Sequence, residues 1–281
     1  MLSAGSASTR TTGRGLRARV QSGVNAALGN GELRARLNRG LSRANFELIV
    51  RPPTETLEPE FERFLSRCEP YTMTSRERMY AVYQATRYIV EADVPGDIVE
   101  CGVWRGGSSM MAALTLMGAG AGAGGGDRRL WLYDTFEGMT EPGQRDVGPD
   151  GRSAHGEWER NRREGHNDWC YSPLDEVRSN ILSTGIATDA FELVQGRVED
   201  TIPARAPERI ALLRLDTDWY ESTHHELVHL FPRLSRGGAL LIDDYGHWEG
   251  VRAAVDEYRR DQGIKLLLSR TDYAGRMAIK L

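Results

Sequence analysis

Two acidic runs carry the chemistry most visible in this chain. Asp216-Thr-Asp218 follows the apolar stretch Ile210-Ala-Leu-Leu-Arg-Leu215, and Asp243-Asp244 follows Ala239-Leu-Leu-Ile242. If both stretches are neighbouring strands of a parallel sheet, the acids leave the same sheet edge and crowd into one small volume. Carboxylates that close resist ionising together. A hard divalent cation relieves the repulsion, and carboxylate oxygens are the ligands it prefers. Mg2+ held by Asp216, Asp243 and Asp244 is the expectation. Two independent helix caps are the blander reading, disfavoured because both runs end apolar strands on one edge.

A second set of residues has the character of a nucleotide-cofactor site. Asp97-Ile-Val-Glu-Cys101 reads as a buried strand, followed by Gly102-Val-Trp-Arg-Gly106-Gly107-Ser108. Gly102 permits a tight turn, and Gly106-Gly107 let backbone approach a ligand above a helix N-terminus. The spacing is not the GxGxxG of pyrophosphate binding. It suits an amino-acid moiety, with Glu100 as the adjacent acid and Ser108 opening the helix. The next strand, Leu130-Trp-Leu-Tyr133, ends in Asp134, an acid placed to accept from ribose hydroxyls. Glu199 and Asp200, after the strand Phe191–Val194, offer an adenine edge.

These residues need a scaffold, and the chain supplies one. Thr74-Ser75 caps a helix from Arg76 to about Ala92, with Met79, Val82, Tyr83, Ile89 and Val90 at helical spacing. Further helices are expected at Ser108–Met117, Pro173–Thr184, Glu221–Leu234 and Trp248–Asp261. Strands alternate with helices from about residue 75 to 261, which predicts a doubly wound parallel α/β sheet covered on both faces. Two closing strands, Lys265–Ser269 and Met277–Leu281, predict an antiparallel hairpin at the edge. Residues 135–172 are too long and polar for an ordinary connection. With His155, Trp158, His166, Trp169 and Tyr171 they read as a lid. Residues 1–45, rich in Arg, Ser and Gly, read as a flexible tail; a transit peptide is the alternative reading. Residues 46–281 are then one domain, with a Gly/Ala loop at Gly118–Gly126.

Composition narrows the function. The 281 residues are 40% hydrophobic and 27% charged, with a formal net charge of -4, which gives no reason to expect nucleic acid as a partner. No apolar run is long enough for a membrane span. The three cysteines, Cys68, Cys101 and Cys170, form no CxxC pair, which argues against a disulfide framework and points to a reducing cytoplasm. Lys265 and Lys280 are the only lysines, a bias best read as codon usage.

Two rival chemistries are weaker. His225-Glu226-Leu-Val-His229 matches HExxH, the zinc-hydrolase pattern. Leu227, Leu230, Phe231 and Leu234 mark the buried helix face, however, which puts both histidines toward solvent. A nicotinamide dehydrogenase shares the glycine turn and Asp134 but leaves Asp243-Asp244 without a purpose.

Six segments in order make the chain recognisable: Tyr71-Thr-Met-Thr-Ser75, Val99-Glu-Cys-Gly-Val103, Tyr133-Asp-Thr-Phe-Glu-Gly138, Asp200-Thr-Ile-Pro203, Leu215-Asp-Thr-Asp-Trp-Tyr-Glu-Ser-Thr223 and Ile242-Asp-Asp-Tyr245. Over roughly residues 70–281 the chain resembles the macrocin O-methyltransferase (TylF/MycF) family. The resemblance implies a class I methyltransferase (Rossmann-like) fold with a seven-stranded sheet, S-adenosylmethionine as donor, and Mg2+. It implies as acceptor a (deoxy)sugar hydroxyl of a glycosylated small molecule in secondary metabolism, such as an antibiotic, and a homodimer or larger assembly. A phenolic or polyketide hydroxyl is the alternative acceptor, and a non-catalytic methyltransferase-like binding protein the alternative class. The cofactor set it implies is Thr72, Met73, Glu100, Gly102, Ser108, Asp134, Glu199 and Asp200. The implied metal set is Asp216, Asp243 and Asp244, with Asp216 doubling as base. The similar catechol and caffeoyl-CoA methyltransferases place a lysine just after the fourth-strand aspartate. Trp219 stands in that region here, so the base is sought in Asp216 first, then Asp218, His155 or His166.

Overall fold

The computed structural model describes residues 57–121 and 128–281. The expected tail, the domain start near residue 46 and most of the Gly/Ala loop lie outside them. Five parallel strands follow the apolar runs: β1 (Asp97–Cys101), β2 (Leu130–Asp134), β3 (Phe191–Gln195), β4 (Ile210–Leu215) and β5 (Leu234–Ile242). With β6 (Ser269–Arg270) and β7 (Arg276–Ile279) they form one sheet in the order β3-β2-β1-β4-β5-β7-β6. β7 runs antiparallel to both β5 and β6. The helices are α1 (Pro59–Cys68), α2 (Arg76–Glu91), α3 (Gly107–Leu116), α4 (His155–Asn161), α5 (Leu174–Leu182), α6 (Val198–Thr201), α7 (Tyr220–Leu230) and α8 (Glu249–Asp261). This is the class I methyltransferase fold, and the order reverses direction at β1, between β2 and β4. Ligands of such sheets lie beyond the strands' carboxyl ends at that point.

Local chemistry explains the elements around this edge. Ser75 Oγ accepts from Arg78 N at 3.1 Å, closing the first turn of α2, while Met79, Val82, Tyr83 and Ile89 bury its inner face. Each such burial contributes roughly 1.5–3 kcal/mol. All ten residues of α3 are buried, so its N-terminus reaches the sheet edge from inside the protein. β4 is buried at every position, as a central parallel strand should be.

Two expectations need correction. The helix expected over Glu221–Leu234 ends at Leu230, and β5 begins at Leu234, ahead of the expected Ala239, and runs through Gly237-Gly238. A side chain at 238 would meet Leu234 and Ser235 within 3.0 Å, so the glycine admits a kink where the β4 register shifts. The segment from Lys265 forms no strand until Ser269, because Leu266 and Leu268 pack against the core rather than along β7.

The stretch 135–172 folds down as a flap that contains α4. Asn167 N donates to Glu137 O at 2.7 Å and Met139 N to Trp169 O at 2.9 Å. Trp158 and Trp219 donate their indole N–H groups to Met139 O and Thr140 O. Asp146 of the flap is fully buried and accepts from Gly143 N at 2.6 Å and from Tyr220 N, the start of α7, at 2.8 Å, which ties the flap to the body of the fold. Among the described residues no helix is long and apolar enough to cross a membrane.

Candidate active site

The turns after β1 and β4 touch. At Gly102 (φ 82°) a Cβ would lie 2.0 Å from Asp216 O, so only glycine fits where the glycine turn crosses the acidic one. Asp134 binds the same turn from β2: its Oδ2 accepts from Val103 N at 2.8 Å and Trp104 N at 2.9 Å, and its Oδ1 from Phe136 N at 2.8 Å. Burial pushes the Asp134 carboxyl up, and these backbone donors oppose the shift.

Above these turns lies a cavity of about 290 Å3. Of the expected cofactor residues, Met73, Gly102, Asp134 and Glu199 line it. Thr72, Glu100, Ser108 and Asp200 do not. Thr72 packs on Gly107, where a Cβ would sit 2.6 Å away, and Ser108 Oγ points at Met79 Sδ. Glu100 is buried with Ser109 and Arg214 and belongs to the sheet interior.

The acids gather as the strand order requires, with one change in membership. One carboxylate oxygen from each of Asp216, Asp218 and Asp244 lies within 4.8 Å of the other two. Asp243 turns away from this group. Its Oδ1 is 2.8 Å from Arg214 and its Oδ2 contacts Arg78, which also holds Asp272 at 3.0 Å. Arg214 reaches Glu100 at 2.6 Å and Asp216 at 2.7 Å as well. Burial pushes the Asp216 carboxyl well above its ordinary range; the Arg214 guanidinium opposes this, and Asp243 and Asp244 reinforce it. Asp244 is raised by burial, then by Asp218 and Asp243. Asp218 is raised to about 7 by burial and by its neighbours Asp216 and Asp243; hydrogen bonds with Asp244 and Trp248 pull the other way. Asp218 also takes a left-handed φ of 68°, uncommon for a residue with a side chain.

The lid histidines are not at the site. His155 sits against Glu141 at 3.3 Å and His166 against Asp168 at 3.1 Å, and neither lines the cavity. The HExxH histidines are half-buried rather than solvent-facing, with His225 Nε2 2.9 Å from Ile202 O. Sequence reasoning also leaves several cavity residues unassigned. Arg78, His247, Trp248 and Tyr273 all line it, beside Trp169 of the expected lid. Trp169, Trp219 and Trp248 form an edge-to-face cluster with centroids 5.2–6.2 Å apart.

The chain is similar in sequence and fold to known proteins. The macrocin-O-methyltransferase (TylF) family profile matches residues 66–278. The chain belongs to the macrocin O-methyltransferase family. Relatives of this TylF-family chain include the 8-demethyl-8-(2,3-dimethoxy-alpha-L-rhamnosyl)-tetracenomycin-C 4'-O-methyltransferase of Streptomyces olivaceus, 38% identical over 78% of this chain and 80% of the relative. The mycinamicin III 3''-O-methyltransferase of Micromonospora griseorubida is 33% identical over 73% of this chain and 76% of the relative. Among solved structures, the O-methyltransferase NovP superposes with a TM-score of 0.63 at 30% identity, covering 75% of this chain and 82% of NovP. This family member is therefore an O-methyltransferase, an enzyme that methylates hydroxyls.

Proposed function

We propose that this enzyme transfers the methyl group of S-adenosylmethionine to a sugar hydroxyl of a glycosylated small molecule, with Mg2+ at the acid cluster. One observation carries the reading: the triad Asp216, Asp218 and Asp244 shares one cavity with the glycine turn and Asp134. The donor set fits a hard cation. Six carboxylates line the cavity (Asp134, Glu199, Asp216, Asp218, Asp243, Asp244) against two guanidiniums, Arg78 and Arg197. Arg78 already holds Asp243 and Asp272, and Arg197 holds Glu199.

When bound, the sulfonium supplies an electrophilic methyl group and the cation a positive charge that orients the acceptor oxygens and lowers their basicity. Asp216 and Asp244 carry the proposed metal site. Asp243 joins it only through lone pairs that its two arginine contacts leave over, so its loss weakens metal binding less than loss of Asp244. Asp218 is the proposed base, ahead of Asp216. Asp216 is committed to Arg214 at 2.7 Å and to the proposed metal, which leaves its oxygens less free to reach an acceptor hydroxyl. Asp218 makes no ion pair with a basic side chain among the described residues, and it stands within reach of both proposed ligands. Asp134 holds the glycine turn in place for the cofactor, and the Trp169–Trp248 wall excludes water from the reacting atoms.

The charge balance also bears on the acceptor. A nucleotide-linked sugar brings a diphosphate into a cavity with an excess of acid and no free arginine on its lining. A neutral glycoside meets no such repulsion, and the names of the tetracenomycin and mycinamicin relatives point the same way. Calorimetric titration with S-adenosylmethionine, with and without Mg2+, followed by product analysis on a panel of glycosides, tests this reading. Absence of cofactor binding would overturn it.

A further inference from the structure

The HExxH-like segment of α7 holds a device other than zinc. Glu226 is fully buried, and its Oε1 accepts from Thr217 Oγ1 at 2.9 Å. Its carboxyl also meets the Cys101 thiol at the end of β1, and Oε2 has no hydrogen-bonding nitrogen or oxygen among the described residues. Burial pushes this carboxyl well above its ordinary range, and the hydrogen bonds with Thr217 and Cys101 oppose the shift. The two histidines lie elsewhere, their rings 4.4 Å apart and His225 engaged with Ile202 O.

Thr217 is the middle residue of the acidic turn. Its carbonyl accepts from Trp219 N at 2.9 Å, and its side chain is anchored by Glu226. The next residue, Asp218, keeps its left-handed backbone only because the surroundings impose it. We propose that Glu226 is a positioning residue that, through Thr217, fixes the Asp216–Asp218 turn and so aims both carboxylates into the cavity. The proposal rests on the assignment of Asp216 and Asp218 to the site. A misplacement of about 1 Å at reacting groups can cost on the order of 100-fold in rate, so an anchor one residue away acts on turnover without touching substrate.

The test compares full-length Glu226→Gln, Glu226→Leu, Thr217→Val and the Thr217→Val/Glu226→Leu double variant. It measures Mg2+ affinity by calorimetry without acceptor, and kcat and KM for methyl transfer. Glutamine keeps an acceptor oxygen for Thr217, so Glu226→Gln stays within about threefold of the parent. Thr217→Val and Glu226→Leu each lower kcat by about 10- to 100-fold, weaken Mg2+ binding, and leave the KM for S-adenosylmethionine unchanged. The double variant loses no more than either single one. The proposal is overturned if Thr217→Val keeps kcat and Mg2+ affinity, if Glu226→Gln fails as badly as Glu226→Leu, or if the losses add. Should Glu226→Leu not fold, Thr217→Val, which preserves volume, decides by itself. Failure of the underlying base assignment is distinguishable: it shows as full turnover in Asp218→Asn, whatever the behaviour at 226.

Discussion

Glu100 on β1 lies directly opposite Arg214 on β4 in the parallel register, and their side chains meet at 2.6 Å inside the fold. That pairing turns a strand residue into the base of the active site. Arg214, almost fully buried, holds Asp216 and Asp243 as well, so one guanidinium gathers carboxylates from three adjacent strands.

Removing Arg214 strands those carboxylates. Arg214→Met should lower stability by about 3–5 kcal/mol, the usual penalty for leaving buried charge unpaired. Arg214→Lys keeps the charge but not the planar fork and should fall between. Urea denaturation measures both, and a loss under about 1 kcal/mol for methionine would contradict this role for the guanidinium.

Stability should also depend on pH through Asp218. Its folded value, about 7, lies above the ordinary 3.8. Below about pH 4 the group is protonated in both states and costs nothing. As pH rises from there to 7, the unfolded chain releases its proton first, so the metal-free protein loses stability, by up to about 1.4 kcal/mol for each pH unit between the two values. Above 7 the loss is complete. A cation on the neighbouring Asp216 and Asp244 favours the ionised form of Asp218, so the stabilisation by Mg2+ should grow over the same window. Thermal melts of the parent and Asp218→Asn from pH 5 to 8, with and without Mg2+, check this. The substitution should flatten the metal-free slope, and parallel curves would refute the assignment.

The flap hinges on a buried carboxylate. Asp146→Ala leaves the amides of Gly143 and Tyr220 without their acceptor. Each costs about 1–3 kcal/mol. The acceptor KM should rise more than the KM for the cofactor, because the flap carries Trp169 and Met139 to the cavity. Equal effects on both would argue against a lid role.

Much of the fold and the site is legible in the sequence, for physical reasons. Apolar runs ending in Asp or Gly mark parallel strands and their functional edge, which is enough to place Asp134, Asp216 and Asp244. Side-chain direction is not legible. Glu100 and Ser108 sit in the right motif yet face the interior, and Asp243 is drawn from its neighbour Asp244 by Arg214 on the adjacent strand and by Arg78, contributed by a helix 165 residues away. Arg214 within an apolar strand gives no sign of the partner it meets across 114 residues. His155 and His166 have the right chemistry, but tertiary packing of the flap leaves them outside the cavity.

Charge predicts the form of the acceptor. With Mg2+ present, a neutral glycoside should be methylated, while the same sugar carried on a nucleoside diphosphate should be turned over at least about tenfold less efficiently, the effect of roughly 1.4 kcal/mol of repulsion. Comparison of kcat/KM at low and high salt reads this, since screening should narrow the gap. Preference for the nucleotide-linked sugar would contradict it.

The central claim is metal-assisted methylation of a sugar hydroxyl, and one assay meets it most directly. Transfer of labelled methyl from S-adenosylmethionine to a glycoside panel is followed after exhaustive chelation and again after adding Mg2+. Chelation should abolish transfer, Mg2+ should restore it, and the label should be found on a sugar oxygen. Undiminished transfer after chelation, or label on a non-sugar position, would contradict the claim.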